Sequence, residues 1–152
     1  MLVGVSSFGV KHQDDFNPLQ TVGVIVPYRN QIAEIRNCID SSGIAPLRQI
    51  TIDTVERFQG SQRDYIIYGF TIQKHYQLEF LTNNVFTEGQ HIIDRKLNVA
   101  MTRARKHLLL FGYPALLQQN IVFANLLDYL RVRKAYFSVP LNDYLSGKVK
   151  IG

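Results

Sequence analysis

Three polar segments in an otherwise apolar chain hold the residues that could do chemistry. The first is RKLNVAMTRARK, Arg95 to Lys106. Read as a helix, it places Leu97, Met101, Ala104 and Leu108 on one core-facing stripe. Lys96 and Arg103, seven residues apart, share one flank, while Arg95, Asn98, Thr102 and Arg105 gather on the other. A planar, permanently charged guanidinium on a rigid helix suits stabilising charge on a phosphoryl group in transfer. The plainer alternative is a solvated basic face.

The second segment is ITIDTVERFQGSQRDYIIYGF, Ile50 to Phe70. A strand delivers Thr54, and Gln59-Gly60 makes a turn before the next apolar run. Hydroxyls, amides and exposed glycine N–H groups are suited to holding phosphates. An ordinary strand connection, with Gly60 present only for backbone shape, explains the same residues. The third segment is VGVIVPYRNQIAEI, Val22 to Ile35. Here Tyr28, Arg29 and Gln31 stand at a helix start that could take an anion or a base. Equally, Pro27 starts the helix and Tyr28 packs locally.

These segments need elements to position them. Thr21 to Val26 reads as a buried strand. From Tyr28 to Asp40 the period becomes helical, with Ile32, Ile35 and Ile39 on one face, and Ser41-Ser42-Gly43 ends it. Gln49 to Val55 alternates as a strand does, and Tyr65 to Phe70 is another apolar run. His75 to Gln90 has no clean period and reads as a long loop with at most a short helix. There Tyr76, Phe80 and Phe86 either stack bases or, as preferred here, pack the loop down. A helix over Ile93 to Ala104 leads to a strand over His107 to Gly112. Helices follow over Pro114 to Gln119 and Ile121 to Arg131, with a short strand near Lys134 to Val139 and a helical turn over Leu141 to Leu145. Strands alternating with helices imply βαβ units and a parallel sheet covered on both faces. Such sheets bind ligands at the carboxyl ends of their strands, where all three polar segments are expected.

The 152 residues suit one domain, and 46% hydrophobic against 19% charged residues excludes disorder. A net charge of +5 favours a polyanionic partner, weakly. The single cysteine, Cys38, makes neither an intrachain disulfide nor a zinc cluster and fits a reducing, intracellular setting; it is expected to be partly buried. His12, His75, His91 and His107 show no ligand spacing. No apolar run approaches the ~20 residues that span a bilayer, so no membrane partner is expected. Val3 already reads as strand, so the chain is expected to begin within a larger protein.

Taken together, a strand followed by PYxxQ, then TVxxFQGxxxDxII, then RxLNVAxTRAR, in this order, resemble the motifs of the second RecA-like domain of superfamily 1 helicases. The branch resembled contains the nonsense-mediated-decay RNA helicase and related DNA replication and repair helicases. The likeness runs from about Val22 to Tyr144. It implies an α/β, three-layer RecA-like (P-loop NTPase-type) domain with a mainly parallel sheet, occupying residues 1–152 as one part of a larger protein.

The resemblance also implies roles. Arg103 matches the arginine finger that reaches the ATP γ-phosphate, a class of residue worth on the order of 10³–10⁵ in rate. Gly60 matches the glycine whose backbone lies near the phosphates, with Gln59 beside it. Gln62 stands where the family usually has a glutamate on the nucleotide ribose. Thr54 matches a residue on the nucleic-acid backbone; Arg95 and Asn98, with Tyr28 and Arg29, are expected to contact the strand or support it. Glu56 replaces a common aspartate and Lys96 a common arginine. No G-x-x-x-x-G-K-[ST] loop and no strand-terminal Asp-Glu pair is present. ATP and Mg²⁺ are therefore expected to be held mainly by an upstream RecA-like domain, the isolated chain to be inactive, and single-stranded DNA or RNA to be the partner in a cytoplasmic (intracellular) setting. The alternative is a non-catalytic nucleic-acid or protein-binding module of helicase ancestry.

Overall fold

The computed structural model describes residues 2–3, 16–58, 60–82, 85–88, 91–139, 142–143 and 146, with backbone alone for 2–3, 85–88 and 91–93. Hydrophobic alternation on two sides of one sheet sets the architecture. β2 (Val22–Val26), β3 (Thr51–Thr54), β4 (Arg63–Gly69) and β7 (Ala104–Phe111) are mutually parallel, and β1 (Leu2–Val3) pairs antiparallel with β7 at the edge. The order across the sheet is β1-β7-β4-β2-β3. This is the α/β RecA-like class expected from the motifs.

Successive residues of a strand face opposite layers. Ile25, Ile66, Tyr68 and Leu110 point to the larger core, with Leu97 and Ala100 of α3 (Arg95–Arg103). Phe123, Leu127 and Leu130 of α5 (Ile121–Val132) join them, as does Leu117 of α4 (Pro114–Leu117). Val24, Val26, Ile50 and Ile52 point the other way, where Ile32, Ile35 and Ile39 of α1 (Arg29–Ser42) cover them. Each fully buried large side chain contributes about 1.5–3 kcal/mol. Helix α1 stops at Gly43, whose φ of 70° is left-handed and costs glycine nothing. A 3₁₀ segment, Ala45–Gln49, then enters β3, and Arg36 fastens it by donating to the carbonyls of Arg48 and Ile50.

Several expectations are corrected. The segment from His75 is not a loop: it forms helix α2 (His75–Thr82) and a hairpin of β5 (Val85–Glu88) and β6 (His91–Asp94). Only Leu78 and Leu81 of α2 are buried; Tyr76 is 63% exposed, whereas Phe80, half-exposed, packs α2 down through the Tyr28 ring, as expected. Phe86 lies outside the described side chains. Strand β7 begins at Ala104, three residues before the expected His107, because its basic start pairs with Arg63 of β4. No strand forms over residues 134–139, although Val139 is buried. Cys38 is exposed, on the solvent side of α1. Met101 is also exposed; the buried seam of α3 is Lys96, Leu97 and Ala100.

Candidate functional site

Helix α3 positions the site, and its start is fixed by a side chain. Asp94, 2% exposed, accepts a hydrogen bond from the Leu97 backbone N–H at 2.8 Å through Oδ1. That is an N-cap, satisfying a donor that the helix itself leaves unpaired. Burial pushes the Asp94 carboxyl up from its ordinary range, outweighing the Leu97 and Lys96 backbone N–H groups and the Lys96 charge, which pull it down. Its Oδ2 is buried with no hydrogen-bond partner.

Because α3 leads directly into β7, it runs antiparallel to the sheet. Its first residues lie at the carboxyl ends of the parallel strands and its last at their amino ends. Nine residues separate these by about 13 Å. Two polar clusters result, rather than the single one expected at the carboxyl ends.

The carboxyl-end cluster gathers Tyr28, Arg29, Thr54, Glu56, Phe80, Arg95 and Lys96. Tyr28 follows β2, stacks on Phe80 at 5.4 Å between ring centroids, and donates its hydroxyl to the Gln77 carbonyl at 3.3 Å. Burial, then the nearby Tyr76, raise the Tyr28 phenol above its ordinary range. Lys96 is 8% exposed; its ammonium lies 4.6 Å from the Phe80 ring centre and 3.7 Å from Glu56. Burial raises the Glu56 carboxyl, but its own backbone N–H, the Thr54 hydroxyl and Lys96 together hold it below the ordinary value. Thr54 is buried, and its side chain bonds Glu56. Arg29 and Arg95 are exposed here, and Asn98 is exposed midway along α3.

The amino-end cluster gathers Gly60, Gln62, Asp64, Arg103, Arg105 and Lys106. The segment after β3 descends across the sheet to reach it. Phe58, 1% exposed, lies so close to Gly23 that a Cβ there would stand 2.5 Å from its ring, which is why β2 carries a glycine. Gly60 then turns with φ of 78°, with nothing within 4 Å of where a Cβ would stand. Gln62 donates from Nε2 to the Thr102 carbonyl at 3.3 Å, one residue before Arg103. Arg103 is partly buried, and its Nε is buried with no hydrogen-bond partner. Gln59 lies outside the described residues.

The rule of carboxyl ends concerns a ligand that a sheet binds for itself. A side chain delivered to a nucleotide held by another domain is free of it, so the placement of Arg103 at an amino end is compatible with that use. An anion fits what is there: an unpartnered guanidinium N–H and an open glycine turn.

Asp64, the aspartate of the second motif, is the residue to which the sequence assigned no role. It contacts Arg105 at 3.1 Å and Lys106 at 2.8 Å. The Lys106 hydrogen bond leads in holding its carboxyl below the ordinary range, with both cations adding to it against partial burial. The sequence signal was a lone acid among four cations, Arg63, Arg103, Arg105 and Lys106. His75 pairs with Glu79 at 3.6 Å, and His107 stacks on Tyr65. Among the described residues, no helix is long and apolar enough to cross a membrane.

Comparison with known proteins accords with this arrangement. A family model described as an AAA domain matches residues 5–115. A regulator of nonsense transcripts 1 homolog from Arabidopsis thaliana is 32% identical over 135 residues, covering 85% of this chain and 10% of that protein. The DNA replication ATP-dependent helicase/nuclease DNA2 of Bos taurus is 29% identical over 126 residues, 82% of this chain and 11% of that protein. A putative helicase mov-10-B.1 of Danio rerio is 27% identical over 119 residues, 76% and 12% respectively. The chain thus spans about a tenth of the length of the curated relatives it matches. With the parallel sheet and the ordered motifs, these matches make the chain a member of the AAA domain family and a second, C-terminal RecA-like domain of the superfamily 1 helicases, in the branch of the nonsense-mediated-decay and related DNA helicases.

Proposed function

We propose that residues 1–152 are the second motor domain of a larger ATP-dependent DNA or RNA helicase, and that Arg103 is its arginine finger. The observation that carries this reading is the Arg103 Nε, buried without a partner one residue beyond the Thr102 carbonyl that Gln62 holds. The side chain is otherwise only partly buried, so its terminal N–H groups are the ones an acceptor brought from outside would meet. In this reading an upstream RecA-like domain holds ATP and Mg²⁺, and closure brings the γ-phosphate to Arg103. Gly60 and Gln62 line the nucleotide side, and the motif alone assigns Gln59 to the same role. ATP with its magnesium supplies the phosphoryl group and the charge neutralisation; this chain supplies one cation at the developing charge. The isolated chain is inactive.

The division into two clusters supports a division of labour. The nucleotide set stands at the amino ends, and the strand-gripping set, Tyr28, Arg29, Thr54 and Arg95, stands at the carboxyl ends. Asn98 lies on the helix that joins them. Because Thr54 is buried, its part in the grip is to hold Glu56 rather than to touch a phosphate. Grip on single-stranded DNA or RNA is salt-sensitive and mostly indifferent to sequence. The work is intracellular.

Steady-state ATP hydrolysis by the intact protein, with and without single-stranded nucleic acid, tests the reading. Arg103→Ala should lower kcat by a factor of roughly 10³ or more. Hydrolysis at the wild-type rate would remove the finger assignment. One observation favours a second reading, a non-catalytic nucleic-acid or protein-binding module: Gln62 in place of the family's usual glutamate. An intact protein that binds single strands but hydrolyses no ATP would establish it.

A further inference from the structure

The register between β4 and β7 slips beside Arg103. Arg63 lies opposite Ala104, yet Tyr65 lies opposite His107: between these pairs one residue of β4 faces two of β7. Asp64 therefore stands against both Arg105 and Lys106. In a regular strand those neighbours would point to opposite faces and could not share one carboxylate. Here both do, at 3.1 and 2.8 Å. Such slips are rare in parallel pairs and recur where a side chain must be re-aimed.

Crowding explains why one acid matters. Arg103, Arg105 and Lys106 put three cations into four residues, and Arg63 stands across from them. Arg63 is already engaged, over the Phe58 ring and on the Thr51 hydroxyl at 2.9 Å. Arg105 also reaches the Gln20 carbonyl at 3.4 Å. Among the described residues, Asp64 is the one carboxylate in salt-bridge contact with this cluster. With it committed to Arg105 and Lys106, Arg103 is left without an internal anion, and the Gln62 amide fixes the backbone one residue before it.

We propose that Asp64 is a positioning residue for Arg103: by locking Arg105 and Lys106 across the register slip, it sorts the cations so that only Arg103 remains to meet a phosphate. This rests on the finger reading above. Gln62 assists through an amide donor that a glutamate would lack.

The test uses the intact protein, ATP hydrolysis and a double-mutant cycle. Asp64→Asn keeps the shape and removes the charge. It should lower kcat about tenfold, as expected from a misplaced catalytic group. KM for ATP should not rise, because the unneutralised cations still attract phosphate. In an Arg103→Ala background, Asp64→Asn should add nothing. Arg105→Gln with Lys106→Gln should also lower kcat, because Asp64 is then free to capture Arg103. Adding Asp64→Asn to that pair should restore activity, a rescue that a merely structural role would not give and that remains informative if the single variant folds poorly. Wild-type kcat in Asp64→Asn, a defect that multiplies with Arg103→Ala, or a triple variant no better than the double overturns the proposal. If Arg103→Ala alone is harmless, the finger reading itself fails, a different and separable result.

Discussion

The cap on α3 offers the sharpest physical test of how the site is built. Asp94 does two opposed things: Oδ1 holds the Leu97 N–H, and Oδ2 is buried with no partner. Asp94→Ala removes the cap, a loss of about 1–2 kcal/mol, and leaves the Leu97 donor buried and unmet. Relief of the buried carboxylate offsets part of this. A net loss of about 1.4 kcal/mol is expected, which is a tenfold change in an equilibrium constant. Asp94→Asn keeps an acceptor in place and removes only the charge, so the first turn of α3 should hold. The pH dependence carries a definite sign. The folded carboxyl is raised above its unfolded value of about 3.9, so between those two values the native state binds the extra proton. Stability from this group therefore falls as pH rises through that window and stays low above it. Asp94→Asn abolishes the slope. Hydrogen exchange of the peptide covering residues 94–103 in the intact protein, read at pH 4 to 8, measures both effects. Protection unchanged in Asp94→Ala, or lost equally in Asp94→Asn, would show that the cap does not hold the helix.

Two further outcomes follow from buried neighbours of the site. Lys96→Met should cost no more than about 1 kcal/mol by thermal melting, because its Glu56 partner is largely exposed and a thioether can still pack on Phe80. Lys96→Glu should cost at least about 3 kcal/mol, since it buries a carboxylate without a counter-ion; equal melting temperatures for the two would contradict this. Gly23→Ala should destabilise by about 1–3 kcal/mol through its collision with the Phe58 ring, and pairing it with Phe58→Leu should recover part of that loss.

The sequence made the central elements legible where a period was unambiguous. Helix α1 and strands β2 and β3 fall within two residues of their expected bounds, because apolar spacing alone specifies them. The start of β7 was missed because RARK has no apolar period; its place in the sheet is set by neighbours on β4. The short helix allowed after His75 is α2, but its bounds could not be placed, because eight residues with two buried leucines make too short a stripe to read. The motif residues were visible one by one, but their division between two ends of the sheet was not. Motif order along a chain does not say that a helix entering a parallel strand must end at its amino end. Asp64 was visible as the aspartate of the second motif, but its partners were not, because they come from a register slip that only the paired strands display.

The long descent of α1 has a practical corollary. The helix leaves the carboxyl end of β2 and stops at Gly43, about 20 Å away by helical rise, on the layer of the sheet opposite α3. Residues 40–46 are all exposed, and Gly43 has open space around it. A fluorescent reporter or epitope spliced in after Gly43 would stand at the amino ends of the strands, on the layer opposite α3 and beside the β3 edge, with β2 and β4 between it and the β7 start that carries Arg105 and Lys106.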